Sequence, residues 1–224
     1  TNEGMRAALK VDLNDRWTVS PSVVYQSQET EGVWDHDPGD VGDLEVQRFG
    51  PDSTEDEWYQ ANLTVEGDVA GMRLTYAGSY LDRDVEYVND YSAYVDYGGG
   101  FVEPYYTCYV GYFQDSLADC DDPTMIFRED STYKRNTHEV RLQSSEAQKL
   151  RWITGFFYQE SEHDFEFNYI IPDITPAAAI RDDSYFVTDQ DREDSEIAVF
   201  GEIEYDFTNR LTGLVGARFF ENET

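Results

Sequence analysis

Residues 195–220 read SEIAVFGEIEYDFTNRLTGLVGARFF, and this stretch decides the fold of the 224-residue chain. Apolar residues take every second position in 197–205 and again in 211–219. A period of two residues is typical of a β-strand with two unlike faces. A polar turn at 208–210 separates the two halves. The stretch therefore predicts one long β-hairpin.

The same pattern occurs three more times earlier in the chain. The other predicted hairpins pair residues 5–13 with 17–25, 59–66 with 72–80, and 138–143 with 150–158. Each pair is joined by a short polar turn. Pro21 predicts a bulge or a weakened ladder in its strand, because proline has no backbone N–H to donate. The sequence thus predicts about eight strands in four hairpins.

Three long irregular segments separate the hairpins, at about 30–57, 82–136 and 160–194. They contain 33 of the 47 acidic residues but only 7 of the 16 lysines and arginines. The chain as a whole carries a formal net charge of −31, which repels nucleic-acid phosphates and excludes a nucleic-acid partner. An aromatic content of 15% and the regular hairpins exclude a disordered acidic chain. The charge is expected in the loops.

The composition of the two strand faces bears on the environment. No apolar run is long enough for a membrane-spanning helix, but barrel strands are short and amphipathic. Charged residues occupy the polar face at Arg6, Lys10, Glu66, Arg73, Glu139, Arg141, Arg151, Glu202, Glu204 and Arg218. Aromatic residues are predicted near strand ends, where membrane girdles lie, at Trp17, Tyr25, Tyr59, Tyr80, Trp152, Tyr158 and Tyr205. We therefore predict an all-β, antiparallel up-and-down transmembrane β-barrel segment with short periplasmic turns and three long extracellular loops.

The strands also resemble a known family. Residues 198–219, AVFGEIEYDFTNRLTGLVGARF, resemble the barrel signature of TonB-dependent outer-membrane receptors, in which a Phe-Gly strand, a Thr-(Asp/Asn)-Arg-Leu turn and a Gly-x-Arg-aromatic strand recur. Residues 138–144 with 150–158 resemble the preceding hairpin, and LNDRW at 13–17 resembles an earlier turn. The resemblance covers the strands and none of the long loops.

This resemblance implies energised uptake of a scarce nutrient, most often a ferric siderophore and otherwise a cobalamin, a haem or a glycan. It implies no enzyme and no cofactor. The implied partners are the nutrient, outer-membrane lipid and the inner-membrane TonB complex, and the implied location is the bacterial outer membrane. The family has a barrel of 22 strands filled by a plug domain. Its plug, its TonB-contacting segment and its later strands have no counterpart here, so residues 1–224 are expected to be a partial β-barrel domain from a longer protein.

Two other classes of protein fit parts of the pattern. A small closed outer-membrane barrel of eight strands would act as an adhesin or an anchor. A secreted glycan-binding β-sandwich would also show alternating strands.

The predicted ligand contacts lie in an aromatic tract of the second loop. Tyrosine offers a large amphipathic contact area at low entropic cost, which suits the capture of aromatic or sugar-like ligands. The alternative is that these rings form a small core for the loop itself. The candidates are Tyr91, Tyr94, Tyr97, Phe101, Tyr105, Tyr106, Tyr109 and Tyr112.

Cysteine and acidic residues suggest two further features of the loops. Cys108 and Cys120 lie in the same loop, and an oxidising compartment predicts a disulfide between them. The acidic runs 35–40, 119–122 and 189–194 contain alternating carboxylates that suit calcium, but none completes a calcium-loop motif. We therefore predict solvated acids and no metal site. The three histidines are far apart in sequence, and no catalytic residue is assigned.

Overall fold

The computed structural model describes residues 1–33, 36, 41–92, 124–172, 174 and 179–224. Within these residues no helix is long and apolar enough to cross a bilayer. Nine β-strands account for most of them: β1 (Asn2–Ala8), β2 (Val11–Asn14), β3 (Trp17–Glu31), β4 (Ser53–Val69), β5 (Met72–Asp90), β6 (Ile126–Gln143), β7 (Leu150–Ile170), β8 (Ser184–Thr208) and β9 (Leu211–Glu223).

All nine strands belong to a single antiparallel sheet. Its order is β1-β3-β4-β5-β6-β7-β8-β9, with β2 also pairing with β3. Each strand from β3 onward pairs with the next in sequence, which confirms the predicted up-and-down scheme. The first predicted strand is divided into β1 and β2, so eight predicted strands become nine. The described sheet is open, because β1 and β9 form its two edges.

Pro21 causes the division of the first strand. The ladder to β3 is interrupted at residues 9–10, where the backbone N–H of Leu9 donates to the Pro21 carbonyl oxygen at 3.0 Å. In an antiparallel pair the N–H and C=O of one residue point to the same neighbour, so the missing N–H of Pro21 faces this side. On its other side Pro21 pairs with Leu63 without a register shift. The predicted weakened ladder is therefore confirmed on one side only.

The strands are much longer than predicted. The connections between hairpins shrink to 32–52, 91–125 and 171–183, because strand pairing continues into the segments expected to be loops. At about 3.3 Å per residue, the 25 residues of β8 span about 80 Å. A membrane crossing needs only about 9–11 residues of a tilted strand. Apolar alternation ends before the strands do, because the backbone ladder needs no apolar residues, so the alternation marked only part of each strand.

On this sheet the apolar face is exposed and the polar face is partly buried, which is the reverse of the usual arrangement in a soluble protein. Along the middle of β4 the apolar residues Tyr59, Ala61 and Leu63 are exposed, whereas the polar residues between them are half-buried. The polar face is therefore concave and the apolar face convex. Of the described residues, the fully buried hydrophobic side chains are Met125, Ile171, Ile174 and Ala198. The apolar surface is directed outward.

Candidate functional site

An apolar belt crosses the convex face. The strand register places apolar residues of successive strands side by side. The belt is nine residues long on each of four strands, which is the length of one tilted membrane crossing. These nine-residue segments are 72–80, 150–158, 197–205 and 211–219. One row of the belt joins seven strands through Val19, Val65, Tyr76, Val140, Phe156, Val199 and Phe219.

Tyrosines mark the outer limit of this apolar belt. Tyr25 and Tyr59 lie directly opposite each other on β3 and β4. The ring of Tyr59 is 5.9 Å from that of Tyr80 between centroids. Tyr25, Tyr59, Tyr80 and Tyr158 lie within their strands, not near the strand ends as predicted, because the strands continue far beyond the belt. At the other end, Trp17, Trp152 and Tyr205 lie near strand ends as predicted. Tyrosine at this boundary is typical of a membrane interface, where the ring is apolar and the hydroxyl is wet.

Beyond the tyrosines the convex face becomes acidic. We call this surface the acidic belt. Only a few bases interrupt it, among them Arg128, whose guanidinium lies 3.3 Å from Asp130. Like charges placed directly opposite each other destabilise a ladder, so this surface requires water and counterions. One row of the belt places six carboxylates side by side on six strands: Glu29, Glu55, Glu86, Asp130, Glu166 and Asp189.

The concave face at the same height has a different composition. We call the five residues Trp58, Arg83, Tyr133, His163 and Arg192 the arginine–aromatic row, because the register places them side by side on β4 to β8. The rings of Tyr133 and His163 stack with centroids 3.9 Å apart and an interplanar angle of 15°. The guanidinium carbon of Arg83 lies 5.7 Å from the centre of the Tyr133 ring, which is a cation–π distance.

Two arginines of the row are held by carboxylates. Arg83 donates twice to Asp56, with both N···O distances at 2.8 Å, and this hydrogen bonding raises the pKa of Arg83. The Nε of Arg192 lies 2.7 Å from Asp194, and hydrogen bonding to Arg192 lowers the pKa of Asp194. Arg83 and Asp194 therefore stay ionised at neutral pH. Arg135 lies next to the row on β6 and forms no ion pair with any residue that the structure describes.

A cavity of about 460 Å³ opens over the row. Its walls include the rings of Tyr133 and His163. The charged residues that line it are four bases and two acids: Arg83, Lys134, Arg135, Arg192, Glu162 and Asp194. The Nε2 atom of His163 is buried without a hydrogen-bond partner, an arrangement that costs about 1–3 kcal/mol for an ordinary polar group. Guanidinium groups bind oxyanions through two parallel hydrogen bonds, and aromatic rings bind planar groups by stacking. The cavity therefore suits a small anionic ligand with a planar part.

Aromatic rings continue from the row toward the loops. Phe165 follows His163 on the concave face of β7, and ring centroids are 5.0 Å apart. The same strand adds Phe167 and Tyr169, and neighbouring strands add Tyr87, Phe127 and Phe186, with ring centroids 5.3 to 6.2 Å apart. These rings meet a small core in the loops formed by Met125, Ile171 and Ile174, against which Tyr91, Tyr169, Ala179 and Tyr185 pack.

A buried carboxylate fixes the first loop to the end of β5. Asp90 is 6% exposed and accepts hydrogen bonds from the backbone N–H groups of Phe49, Gly50 and Ser92. Burial opposes ionisation of this carboxyl, but hydrogen bonds from Ser92, Gly50 and Phe49 outweigh it and lower the pKa of Asp90. Asp52 adds an acceptor for the Asp90 backbone N–H at 3.0 Å.

The structure locates one of the predicted ligand residues. Tyr91 is packed edge-on against Tyr169, with centroids 5.1 Å apart, so it belongs to the loop core. The other candidates lie outside the described residues and remain predictions, as does the disulfide. These are Tyr94, Tyr97, Phe101, Tyr105, Tyr106, Tyr109, Tyr112, Cys108 and Cys120.

Only one of the three acidic runs lies fully within the described residues. Residues 189–194 lie in β8, where Asp189, Asp191 and Glu193 share the convex face but follow one another at about 7 Å along the extended strand, so the run is spread out and does not wrap around one point. The run 119–122, and 35–40 apart from His36, lie outside the described residues. Among the residues that are described, no group of three or more His, Cys, Asp or Glu side chains could hold a metal ion.

The architecture of this chain is similar to that of several solved structures. The ferric yersiniabactin uptake receptor FyuA from Yersinia pestis matches with a TM-score of 0.70 and 10% identity, over 99% of this chain and 29% of that one. The chain therefore has the same fold as part of that structure, an antiparallel up-and-down β-sheet. No protein-family model matches the sequence, and no curated protein matches it.

Other solved structures show the same wall. The ferric citrate transporter FecA in its unliganded form matches with a TM-score of 0.59 and 12% identity, over 99% of this chain and 29% of that one. The RagAB peptide transporter matches with a TM-score of 0.57 and 12% identity, over 99% and 28%. The chain thus spans less than a third of each matched chain. At these identities the likeness describes the fold and not the cargo, which differs among the three.

The arginine–aromatic row was not found by sequence reasoning. Each of its five residues comes from a different strand, so no contiguous motif contains them. A weak signal was present, since Arg83, Arg135 and Arg192 are among the few bases in the acidic segments. Strand register was needed to bring them together.

Proposed function

We propose that this chain is part of the wall of a TonB-dependent outer-membrane receptor that takes up a scarce nutrient, a ferric siderophore. The observation that carries the proposal is the apolar belt on the convex face. Leu63 is 39% exposed, Val199 52% and Phe219 72%. Water does not favour a continuous exposed apolar surface, whereas hydrocarbon does.

Each face then has its own role. The apolar belt contacts lipid, and the acidic belt stands in water above it. The concave face lines the passage, where the arginine–aromatic row and the loops contact the nutrient. Energy comes from the inner-membrane TonB complex through a plug region in the whole receptor. This function involves no chemical step, so the chain is not an enzyme.

The solved structures support this proposal in general terms. They are an uptake receptor, a transporter of ferric citrate and a peptide transporter, and each is matched over nearly the whole of this chain. Their identities of 10–12% support a shared fold and no particular nutrient. The nutrient is therefore proposed from the sequence resemblance and from the chemistry of the concave face.

The two alternatives account for less of the structure. A β-sandwich buries its apolar residues between two sheets, but the described strands form one sheet with its apolar face exposed. A closed barrel of eight strands needs a ladder between its first and last strands, and none joins β1 to β9 in the described sheet.

Deletion of the gene tests the function. Under iron limitation, a deletion strain is expected to lose uptake of radioactive iron from one class of ferric chelate, and the intact gene is expected to restore it. Membrane fractionation should place the protein in the outer membrane, extracted by detergent only. Recovery of the protein from aqueous buffer without detergent would contradict the proposal.

A further inference from the structure

The acids of the strand extensions are divided unequally between the two faces. In the parts of β3 to β8 that lie beyond the tyrosines, the concave face carries four acids: Asp56, Glu129, Asp194 and Glu196. All the other acids of these segments, including the row of six carboxylates, lie on the convex face or at the strand ends. A chain with a net charge of −31 therefore keeps most of its negative charge off one surface.

That surface also holds three arginines, Arg83, Arg135 and Arg192, at nearly the same height. Asp56 and Asp194 neutralise two of them and hold their guanidinium groups in place. Arg135 has no such partner among the described residues, so its five N–H donors remain available. It lines the same cavity as the other two and lies opposite Ser161, whose hydroxyl is a further donor.

We infer that this cavity is a subsite for an oxyanion, with the Arg135 guanidinium as its anchor and the Tyr133–His163 stack as its wall. The inference rests on the proposed function and specifies the ligand: a nutrient that carries a carboxylate or phosphate group beside a planar part. Its volume of about 460 Å³ lies in the range of small-molecule sites. A guanidinium matches both oxyanions with two parallel hydrogen bonds, which a lysine cannot reproduce.

The experiment uses the intact gene product purified in detergent. Binding of four probes is measured by calorimetry: ferric citrate, citrate, inorganic phosphate, and an uncharged ferric hydroxamate. Ferric citrate or citrate should bind if the anion is a carboxylate, and phosphate should bind if it is a phosphate. Binding should weaken as salt concentration rises, because the interaction is between charges.

Substitution of Arg135 tests the anchor. Arg135→Gln should raise the Kd of the bound anion at least tenfold, and Arg135→Lys should give an intermediate value. Arg141→Gln is the matched control, because Arg141 lies on the same face of the same strand but about 20 Å away and is paired with Glu139 at 2.8 Å. The control should change the Kd less than twofold. Circular dichroism should show that all variants are folded.

Two results would overturn the inference: an unchanged Kd for Arg135→Gln, or no binding of any of the three anions at millimolar concentration. Neither result would affect the proposed function, which is judged by nutrient uptake in the deletion strain. If uptake is lost on deletion but restored fully by the Arg135→Gln gene, the receptor stands and the subsite is wrong. If the protein is not in the outer membrane, the receptor proposal itself fails.

Discussion

Asp164 of β7 and Asp191 of β8 lie directly opposite each other on the convex face, as two carboxylates in one cross-strand pair. On either side of them the pairs Glu162–Glu193 and Glu166–Asp189 repeat the arrangement. Opposed like charges destabilise a ladder. The acidic belt therefore reduces the stability of the strand extensions, and this cost can be measured.

Asp191→Lys should stabilise the protein, because it replaces a repulsive pair by an attractive one. We expect a gain of about 0.5–1 kcal/mol in the free energy of unfolding at low salt, measured by urea titration in detergent. The gain should shrink in high salt, where surface charges are screened. Asp15→Lys in the exposed turn before β3 makes the same change in charge without an opposed acid. An equal gain from that control would show that net charge, and not the cross-strand pair, is responsible.

A charge in the apolar belt should be costly. Val199→Arg places a guanidinium on the lipid face, and we expect it to make folding into lipid vesicles less favourable by about 2–4 kcal/mol. Thr64→Arg is the control, because Thr64 is half-buried on the concave face at a similar height. That variant should fold almost as well as the wild type. Similar losses for the two variants would mean that the convex face does not contact hydrocarbon.

Asp90 should make the first loop sensitive to pH. Burial opposes its ionisation, but hydrogen bonds from Ser92, Gly50 and Phe49 outweigh burial and lower the pKa of Asp90. The stabilisation is therefore present above the ordinary aspartate pKa of about 3.9 and is lost as pH falls through the lower folded value. The loop should therefore stay attached at pH 5–7 and detach in stronger acid. Limited proteolysis of residues 41–52 across this pH range measures the change.

Asp90→Ala should detach the same loop at neutral pH. Hydrogen bonds to a charged group contribute about 1.5–3 kcal/mol each, so cleavage within residues 41–52 should accelerate at least tenfold. Asp43→Ala is the control in that loop, since its side chain is 88% exposed. Equal cleavage of the two variants would show that Asp90 does not hold the loop.

Gly67 should not tolerate a side chain. A Cβ atom at this position would lie 2.3 Å from the ring of Trp17, so Gly67→Ala must displace the indole and should cost about 1–3 kcal/mol in the free energy of unfolding. At Gly216 the nearest atom would be 3.4 Å from a Cβ, so Gly216→Ala should cost little. Urea titration compares the two. Equal stability would mean that Trp17 can move without loss of contacts.

Much of the fold followed from local pattern. Alternation at residues 197–205 and 211–219 predicted β8 and β9, and short polar turns predicted which strands are neighbours. Those predictions held because alternation reflects the chemistry of each strand's two faces. The bounds of the loops did not follow, since residues 160–170 and 184–194 remain in a ladder after the alternation of apolar residues has ended. Backbone hydrogen bonds continue there without a signal from side chains.

The sequence by itself determined that this chain is a sheet of amphipathic hairpins with an acidic outer part, because strand period and charge are local properties. Only the tertiary structure decided which face is convex, how far the strands extend and which residues share a surface. Tyr133 and His163 are 30 positions apart in sequence and in ring contact in space. Register between strands is set by the pairing of whole hairpins, so the neighbours of a side chain across a sheet cannot be found from the pattern of its own strand.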